Sequence, residues 1–316
     1  MGPVVVCRDV ARNVFTNGTG ARNVFTNGTG ACSGPTTGDA MNFVKMHGCG
    51  NDFIVTHEIA DGAVENLRKR APLLCDRRRG IGADGIILVL PSIGAGLKMR
   101  IINADGSEAE MCGNGIRCFA IYVRDKGLNA GGILTVDTLA GKIVTTLRGD
   151  TVRVDMGPPV LEASRIPVAG GSGPVIMQPV VADGRRFSVT AVSMGNPHAV
   201  IYADELTDDL VHNWGRRLEC HPFFPRRVNV EFVKVVSDSE VRMRVFERGV
   251  GETHACGTGA CATVVAGILN KKHGNAVKVR LIGGDLNVEW SGDPSQPVYM
   301  SGPAAVAYEG SIPDVG

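Results

Sequence analysis

Two cysteine-glycine elements recur in this chain at one fixed spacing. Residues 100–115 hold Arg100, Glu108 and Cys112-Gly113-Asn114-Gly115. Residues 244–259 hold Arg244, Glu252 and Cys256-Gly257-Thr258-Gly259, each member 144 residues after its counterpart. A thiol at the start of a helix meets unpaired backbone N–H groups and the positive end of the helix dipole. Both favour thiolate and should lower a thiol pKa that is about 8.5 when free. The glycines let the backbone approach an anion, so Gly113-Asn114 and Gly257-Thr258 can donate N–H groups to a carboxylate. Two halves related by a pseudo-twofold axis would set the thiols on opposite faces of one α-carbon. One thiolate removes the α-proton while the other cysteine, still a thiol, protonates the opposite face. Such a pair titrates as one coupled system, and the helix termini stabilise the enolate-like charge. The competing account is a buried cysteine in a small-residue turn. It suits one such element better than two at matched offset, each before an apolar helix. Cys118 and Cys261 lie inside those helices and read as core.

Other polar residues have weaker signals. His198 follows the tight turn Gly195-Asn196-Pro197 and could tune or relay protons for a thiol; a structural histidine is the alternative. Glu247-Arg248 stands in the second copy where the first has Asn103-Ala104-Asp105. Symmetric proton transfer needs matched cysteines, whereas recognition of one substrate needs unmatched surroundings. Arg248 suits a bidentate grip on a second carboxylate, against a surface ion pair with Glu247. Asn51, Asn103, Asn196 and Asn229 occupy turns, where asparagine is common for backbone reasons. Arg68-Lys69-Arg70 and Arg77-Arg78-Arg79 read as a solvated face.

The elements that must carry these residues are short strands with one strong helix per half. Strands are predicted at 43–46, 53–55, 86–89, 99–102, 133–136, 143–147 and 152–154, the last two a hairpin through Gly149-Asp150. A surface helix is predicted at 65–70. The helices after the cysteines are predicted at about 115–126 and 259–271. The second is apolar nearly all round, which requires enclosure by other structure, and a curved sheet wrapped on a central helix supplies it. Further repeats pair Gly50-Asn51 with Gly195-Asn196, Leu139-Ala140-Gly141 with Ile282-Gly283-Gly284, and Met156-Gly157-Pro158 with Met300 through Pro303. The halves divide near Pro158-Pro159 into 41–158 and 159–300, with a tail at 301–316. Residues 11–20 recur letter for letter at 21–30. Residues 1–40 read as a disordered extension, as upstream sequence preceding a start at Met41, or as a faint organelle transit peptide.

Composition narrows the partners. The chain has 316 residues, enough for two domains, and a net charge of +1 that makes no case for nucleic acid or an anionic membrane. No apolar run approaches the roughly 18 residues of a membrane span. Nine scattered cysteines, an odd number with no C-x-x-C pair, fit a reducing compartment and a cytoplasmic protein better than a disulfide framework or zinc site.

The segments MHGCGNDF (46–53), NADGSEAEMCGNGIRC (103–118), MGNPH (194–198), RVN (227–229) and ERGVGETHACGTGAC (247–261) together resemble the diaminopimelate epimerase family over about residues 41–305. The resemblance implies an α+β fold of two pseudo-symmetric domains, each a curved mixed sheet wrapped around a central helix, closing over substrate. It implies interconversion of LL- and meso-diaminopimelate with no cofactor, neither pyridoxal phosphate nor metal, in lysine and peptidoglycan-precursor synthesis. It makes Cys112 and Cys256 the catalytic acid/base pair. It places Asn51, Asn103, Asn196, Asn229, Glu247 and Arg248 at the substrate, with Gly113-Asn114 and Gly257-Thr258 around the reacting carboxylate. His198 and Glu247 are implied to orient substrate or adjust the thiols. It also suggests a homodimer and a tail that returns to the first domain, and a plastid location if the extension is a transit peptide. Three features depart from the family: Gly85 where some members carry a substrate-contacting glutamine, Cys49 where leucine is common, and the repeated extension. Proline racemases and hydroxyproline epimerases are the runner-up. They tend to carry histidine where Asn114 stands, and the Glu247-Arg248 pair suits a second amino-acid head. A phenazine-type isomerase lacks the cysteines, a non-catalytic amino-acid-binding protein would not need them, and a thiol-disulfide oxidoreductase would need a reductase partner.

Overall fold

The computed structural model describes residues 6–8, 40–57, 63–129 and 131–312. Apart from Val6–Arg8, which pairs with Ala305–Ile312, the expected disordered extension lies outside the described residues.

Each half repeats one strand plan. In the first, Met41–Gly48 pairs antiparallel with Asn51–Thr56, which runs parallel to Gly85–Ser92. Gly96–Asn103 follows, then Ile133–Thr138 in parallel, Gly141–Arg148 and Thr151–Asp155. In the second, Arg185–Ser193 pairs with Pro197–Tyr202, which runs parallel to Asn229–Ser237. Glu240–Glu247, Ala276–Leu281 in parallel, Gly284–Glu289 and Tyr299–Pro303 complete it. The outer position is filled by Gln178–Ala182 in the second half and by the C-terminal strand Ala305–Ile312 in the first. The halves join where Thr151–Asp155 pairs with Tyr299–Pro303. The plan is a two-domain mixed-sheet α+β fold with few helices.

Among the described residues four α-helices accompany the strands: α1 Ala63–Leu74, α2 Gly113–Asp125, α3 Gly215–Glu219 and α4 Gly257–Leu269. α2 and α4 are the central helices. α2 is buried from Gly113 through Val123, and α4 is buried at every position from Ala260 through Gly267. Their apolar side chains form one core with the inward faces of both sheets. At about 1.5–3 kcal/mol for each fully buried aliphatic side chain, this enclosure outweighs the weak helix propensity of the valines and glycines. Both helices begin two residues earlier than predicted, directly after the cysteines. Gly113 and Gly257 therefore open the helices instead of forming a preceding turn. The two heads touch: a Cβ on Gly113 would lie 3.6 Å from Gly257 Cα. Among the described residues no helix is long and apolar enough to cross a membrane.

Candidate active site

Cys112 caps α2 and Cys256 caps α4, both in extended conformation. The Arg-Glu part of the repeated element explains how each is held. Arg100 grips Glu108 with bonds of 2.5 and 2.7 Å, and Arg244 grips Glu252 with 2.6 and 2.9 Å. Each bidentate pair ties the strand before the cysteine to the short return segment that delivers it.

Both cysteines open on one cleft of about 1350 Å³ between the halves, together with Asn51, Asn103, Asn114, Asn196, Glu247, Arg248 and Thr258. Cys112 is half-buried. Its Sγ accepts from the Gly115 amide at 3.4 Å and lies 3.5 Å from Asn51 Oδ1. Cys256 is 6 % exposed, with Thr258 Oγ1 at 3.5 Å. The expectation of lowered thiol pKa values is corrected here. Burial pushes Cys112 up, opposed by the Gly115 and Asn114 amides and by Arg117. Burial pushes Cys256 well up, and the carboxyls of Glu247 and Glu231 push the same way. The helix-terminus effect is present, but loss of water around the thiolate outweighs it.

Asn51 is aimed by an ionic brace. Its Nδ2 donates to Asp84 Oδ2 at 2.7 Å, and Arg77 bonds both Asp84 and Asp52. Although burial pushes Asp52 up, Arg77 and Lys45 hold it well below the usual carboxylate range. Asn51 Oδ1 is left facing Cys112 and the Asn114 amide, 3.2 Å away. Asn114 also reaches across the halves to the Ala255 carbonyl at 3.3 Å. The turn before Asn51 needs positive φ at Cys49 (54°) and Gly50 (83°), the geometry of a two-residue hairpin. Cys49 is buried outside the cleft lining, with Arg117 Nη2 3.5 Å from its Sγ.

Two of the expected site residues lie outside the cleft lining. Asn229 lies beneath the cleft: its Nδ2 donates to the Pro197 carbonyl and its Oδ1 accepts from the Arg248 amide at 2.9 Å. It braces the Glu247-Arg248 turn, with Glu219 of α3 accepting from the Gly249 amide. His198 is fully buried behind Asn196. Glu247 is not paired with Arg248. Thr253 Oγ1 donates to it, and burial pushes its carboxyl up. Arg248 is exposed at the cleft and pairs with no carboxylate among the described residues; its one side-chain bond is to the Arg226 carbonyl at 3.3 Å. At Gly85 a Cβ would lie 2.7 Å from the Ile102 carbonyl oxygen, so a glutamine does not fit there.

Sequence reasoning missed two buried charges. Arg117 is fully enclosed and bonds the carbonyls of Gly113 and Pro303 and Asn114 Oδ1. Glu231 is fully enclosed beside His198. The fixed offset was a usable signal for both, since it sets Arg117 against Cys261 and Glu231 against Ile87. Cys118 and Cys261 are buried core, pushed up to about 12 by burial. Among the described residues no group of His, Cys, Asp and Glu is placed to hold a metal.

The fold matches the crystal structure of a hydroxyproline epimerase from Agrobacterium vitis, with a TM-score of 0.63 at 16% identity, covering 86% of this chain and 92% of that one. Fold and paired thiols thus define a two-domain protein of this pseudo-symmetric architecture, with one cysteine at the head of each central helix. The diaminopimelate epimerase family model matches residues 43–162 and 190–307. The diaminopimelate epimerase of Desulforudis audaxviator is 53% identical over 274 residues, 85% of this chain and 98% of that protein. That of Moorella thermoacetica is 52% identical over 278 residues, 86% and 99% respectively. The chain belongs to the diaminopimelate epimerase family.

Proposed function

We propose that this protein interconverts LL- and meso-diaminopimelate with its own two thiols, a step of lysine and peptidoglycan-precursor synthesis. The observation that carries the mechanism is the matched placement of Cys112 and Cys256 at two touching helix heads on one cleft. The amides of Gly113-Asn114 and Gly257-Thr258 hold the α-carboxylate. The thiolate of one cysteine takes the α-proton, breaking Cα–H and forming S–H. The electron pair delocalises into the carboxylate, stabilised by the helix heads. The opposite thiol then gives its proton to the other face and becomes the thiolate. The cysteines exchange roles in the reverse direction.

Asn51, Asn103 and Asn196 bind the polar groups of the substrate, and Arg248, uncommitted to any described carboxylate, takes the distal one. Glu247 and His198 adjust Cys256 and its surroundings. Both thiols come from one chain, which supports a small-molecule substrate reached without nucleic acid or membrane, and a homodimer is compatible with this reading. The test is incubation of the reduced protein with LL-diaminopimelate in D₂O, with L-proline in parallel. Deuterium at the α-carbon with meso product is the expected result. Turnover of proline alone would move the protein to the racemase reading. Inertness to both would favour a binding role.

A further inference from the structure

Behind Cys256 lies a buried charged pair that the other half lacks. Glu231 Oε1 accepts from His198 Nδ1 at 2.6 Å, and its Oε2 has no partner among the described residues. A fully buried carboxylate is costly unless paired, and a strand that only had to pack would carry hydrocarbon there. The first half does. Matching the parallel pair that begins His198↔Asn229 with the one that begins Phe53↔Gly85 puts Phe53 in the place of His198 and Ile87 in that of Glu231. The helix glycines agree. A Cβ on Gly115 would meet Ile87 Cδ1 at 3.2 Å and Phe53 Cζ at 3.6 Å. A Cβ on Gly259 would meet Glu231 Oε1 at 2.8 Å and Cys256 Sγ at 3.3 Å, so carboxylate and thiol flank the same point of α4.

The hydrogen bonds have a direction. A carboxylate only accepts, so His198 Nδ1 carries a proton. His198 Nε2 faces Asn196 Oδ1 at 2.9 Å. With Nε2–H donating as well, the ring is an imidazolium, the Asn196 NH₂ is turned toward the cleft that Asn196 lines, and the pair as a whole is neutral, with the carboxylate the end that lies beside Cys256. The other groups around Cys256 are Glu247 from Glu240–Glu247, the Thr258 hydroxyl and Gly259 amide of α4, and Cys112 across the cleft with Arg117 behind it. Of these, Glu247 shares Glu231's sign and sits at the cleft where substrate arrives, and Cys112 shares it as a thiolate.

We propose that Glu231 is a positioning residue: through His198 it sets the polarity of the Asn196 amide, and the carboxylate end of the pair, the end beside the thiol, keeps the proton on Cys256 before substrate binds. This rests on the two-thiol reading above. The wall makes the two thiols unequal in the empty enzyme, with Cys112 the base and Cys256 the proton donor.

The test compares wild type with Glu231→Gln and with His198→Phe/Glu231→Ile, which rebuilds the hydrocarbon wall of the first half. Iodoacetamide alkylation of each cysteine is followed against pH by mass spectrometry, alongside Tm, kcat and KM. The double variant removes both charges, so it should fold. In both variants the Cys256 alkylation midpoint should fall by about one pH unit while that of Cys112 stays, and KM should rise about tenfold, the loss of one oriented hydrogen bond. A purely structural pair would move Tm and leave the midpoints where they are, and that result overturns the proposal. If the double variant does not fold, the near-isosteric Glu231→Gln decides alone. Wild-type turnover with an unmoved midpoint sinks only the role of Glu231, whereas a wild type inert to diaminopimelate sinks the two-thiol reading itself.

Discussion

The surroundings of Cys112 and Cys256 share a backbone and differ in charge. Behind the first, α2 carries the enclosed guanidinium of Arg117, and the strands present Phe53 and Ile87. Behind the second, α4 carries Cys261 at the position of Arg117, and the strands present His198 and Glu231. The strand plan, the bidentate Arg-Glu clamps and the helix starts coincide in the two halves. Duplication of the backbone thus supplies the geometry of a two-sided proton transfer. Which thiol holds the proton is left to a few side chains buried behind the helix heads, where one charge acts through little water.

Removing the thiols tests the symmetric part of this comparison, with the largest expected effect. Cys112→Ala and Cys256→Ala should each lower isomerisation on the order of 10²–10⁴-fold, the scale of a lost general acid or base. Each variant should still exchange the α-proton of one isomer with D₂O, and not the same isomer. Exchange of both isomers by either variant would break the two-sided picture.

Arg117→Met tests the asymmetric part. It removes the guanidinium bonds to the Gly113 and Pro303 carbonyls and to Asn114 Oδ1, at about 1–3 kcal/mol for a buried acceptor left unpaired, read as a fall in Tm or in the urea midpoint. Arg117 acts to lower Cys112, so alkylation of Cys112 should need a higher pH in the variant while Cys256 is unaffected. Equal shifts at both thiols would show that the cation serves the whole cleft.

Alanine at the third residue of each element sharpens the contrast. Gly259→Ala drives a methyl against Glu231 Oε1 and should cost about 1–3 kcal/mol as overpacking. Gly115→Ala meets the end of Ile87 at 3.2 Å, Cys112 Cβ at 3.3 Å and Phe53 Cζ at 3.6 Å, contacts looser than the 2.8 Å at Gly259, and the gain of about 1 kcal/mol in helix propensity over glycine offsets them. Denaturation of the two variants should rank them in that order.

The pH profile of wild type is the mildest probe. Activity needs one thiolate, and burial raises both thiols, so ionisation comes later in pH than for a free cysteine. Below that range kcat/KM should climb tenfold per pH unit, about 1.4 kcal/mol. The climb should continue past neutrality instead of levelling where carboxylates titrate.

The parts of this arrangement that were legible in the sequence are those set by local rules. The cysteines, the apolar helices after them and the hairpin at Gly149-Asp150 follow from spacing, periodicity and turn chemistry. The protonation tendency of the thiols was read with the wrong sign, because a cap position is visible in a motif while its burial depends on strands elsewhere in the chain. Arg117 reads as an ordinary helix cation; its enclosure comes from Met300 and Pro303, far away in sequence. Glu231 is one acid in an apolar strand, informative only beside Ile87. Asn229 was expected at the substrate by resemblance; its bonds to the Pro197 carbonyl and the Arg248 amide, which tie it to the turn carrying Arg248, have no local signature.

The last strand, Ala305–Ile312, lies against the first long one, Met41–Gly48. During synthesis, the edge of Met41–Gly48 therefore has no partner until about 260 further residues have been joined to the chain. At about 5–20 residues per second that is roughly 13–50 s in which an open strand edge is available for mispairing. The first half to leave the ribosome is thus the last to be closed, and a nascent chain stalled before residue 305 would expose that edge to chaperones and proteases.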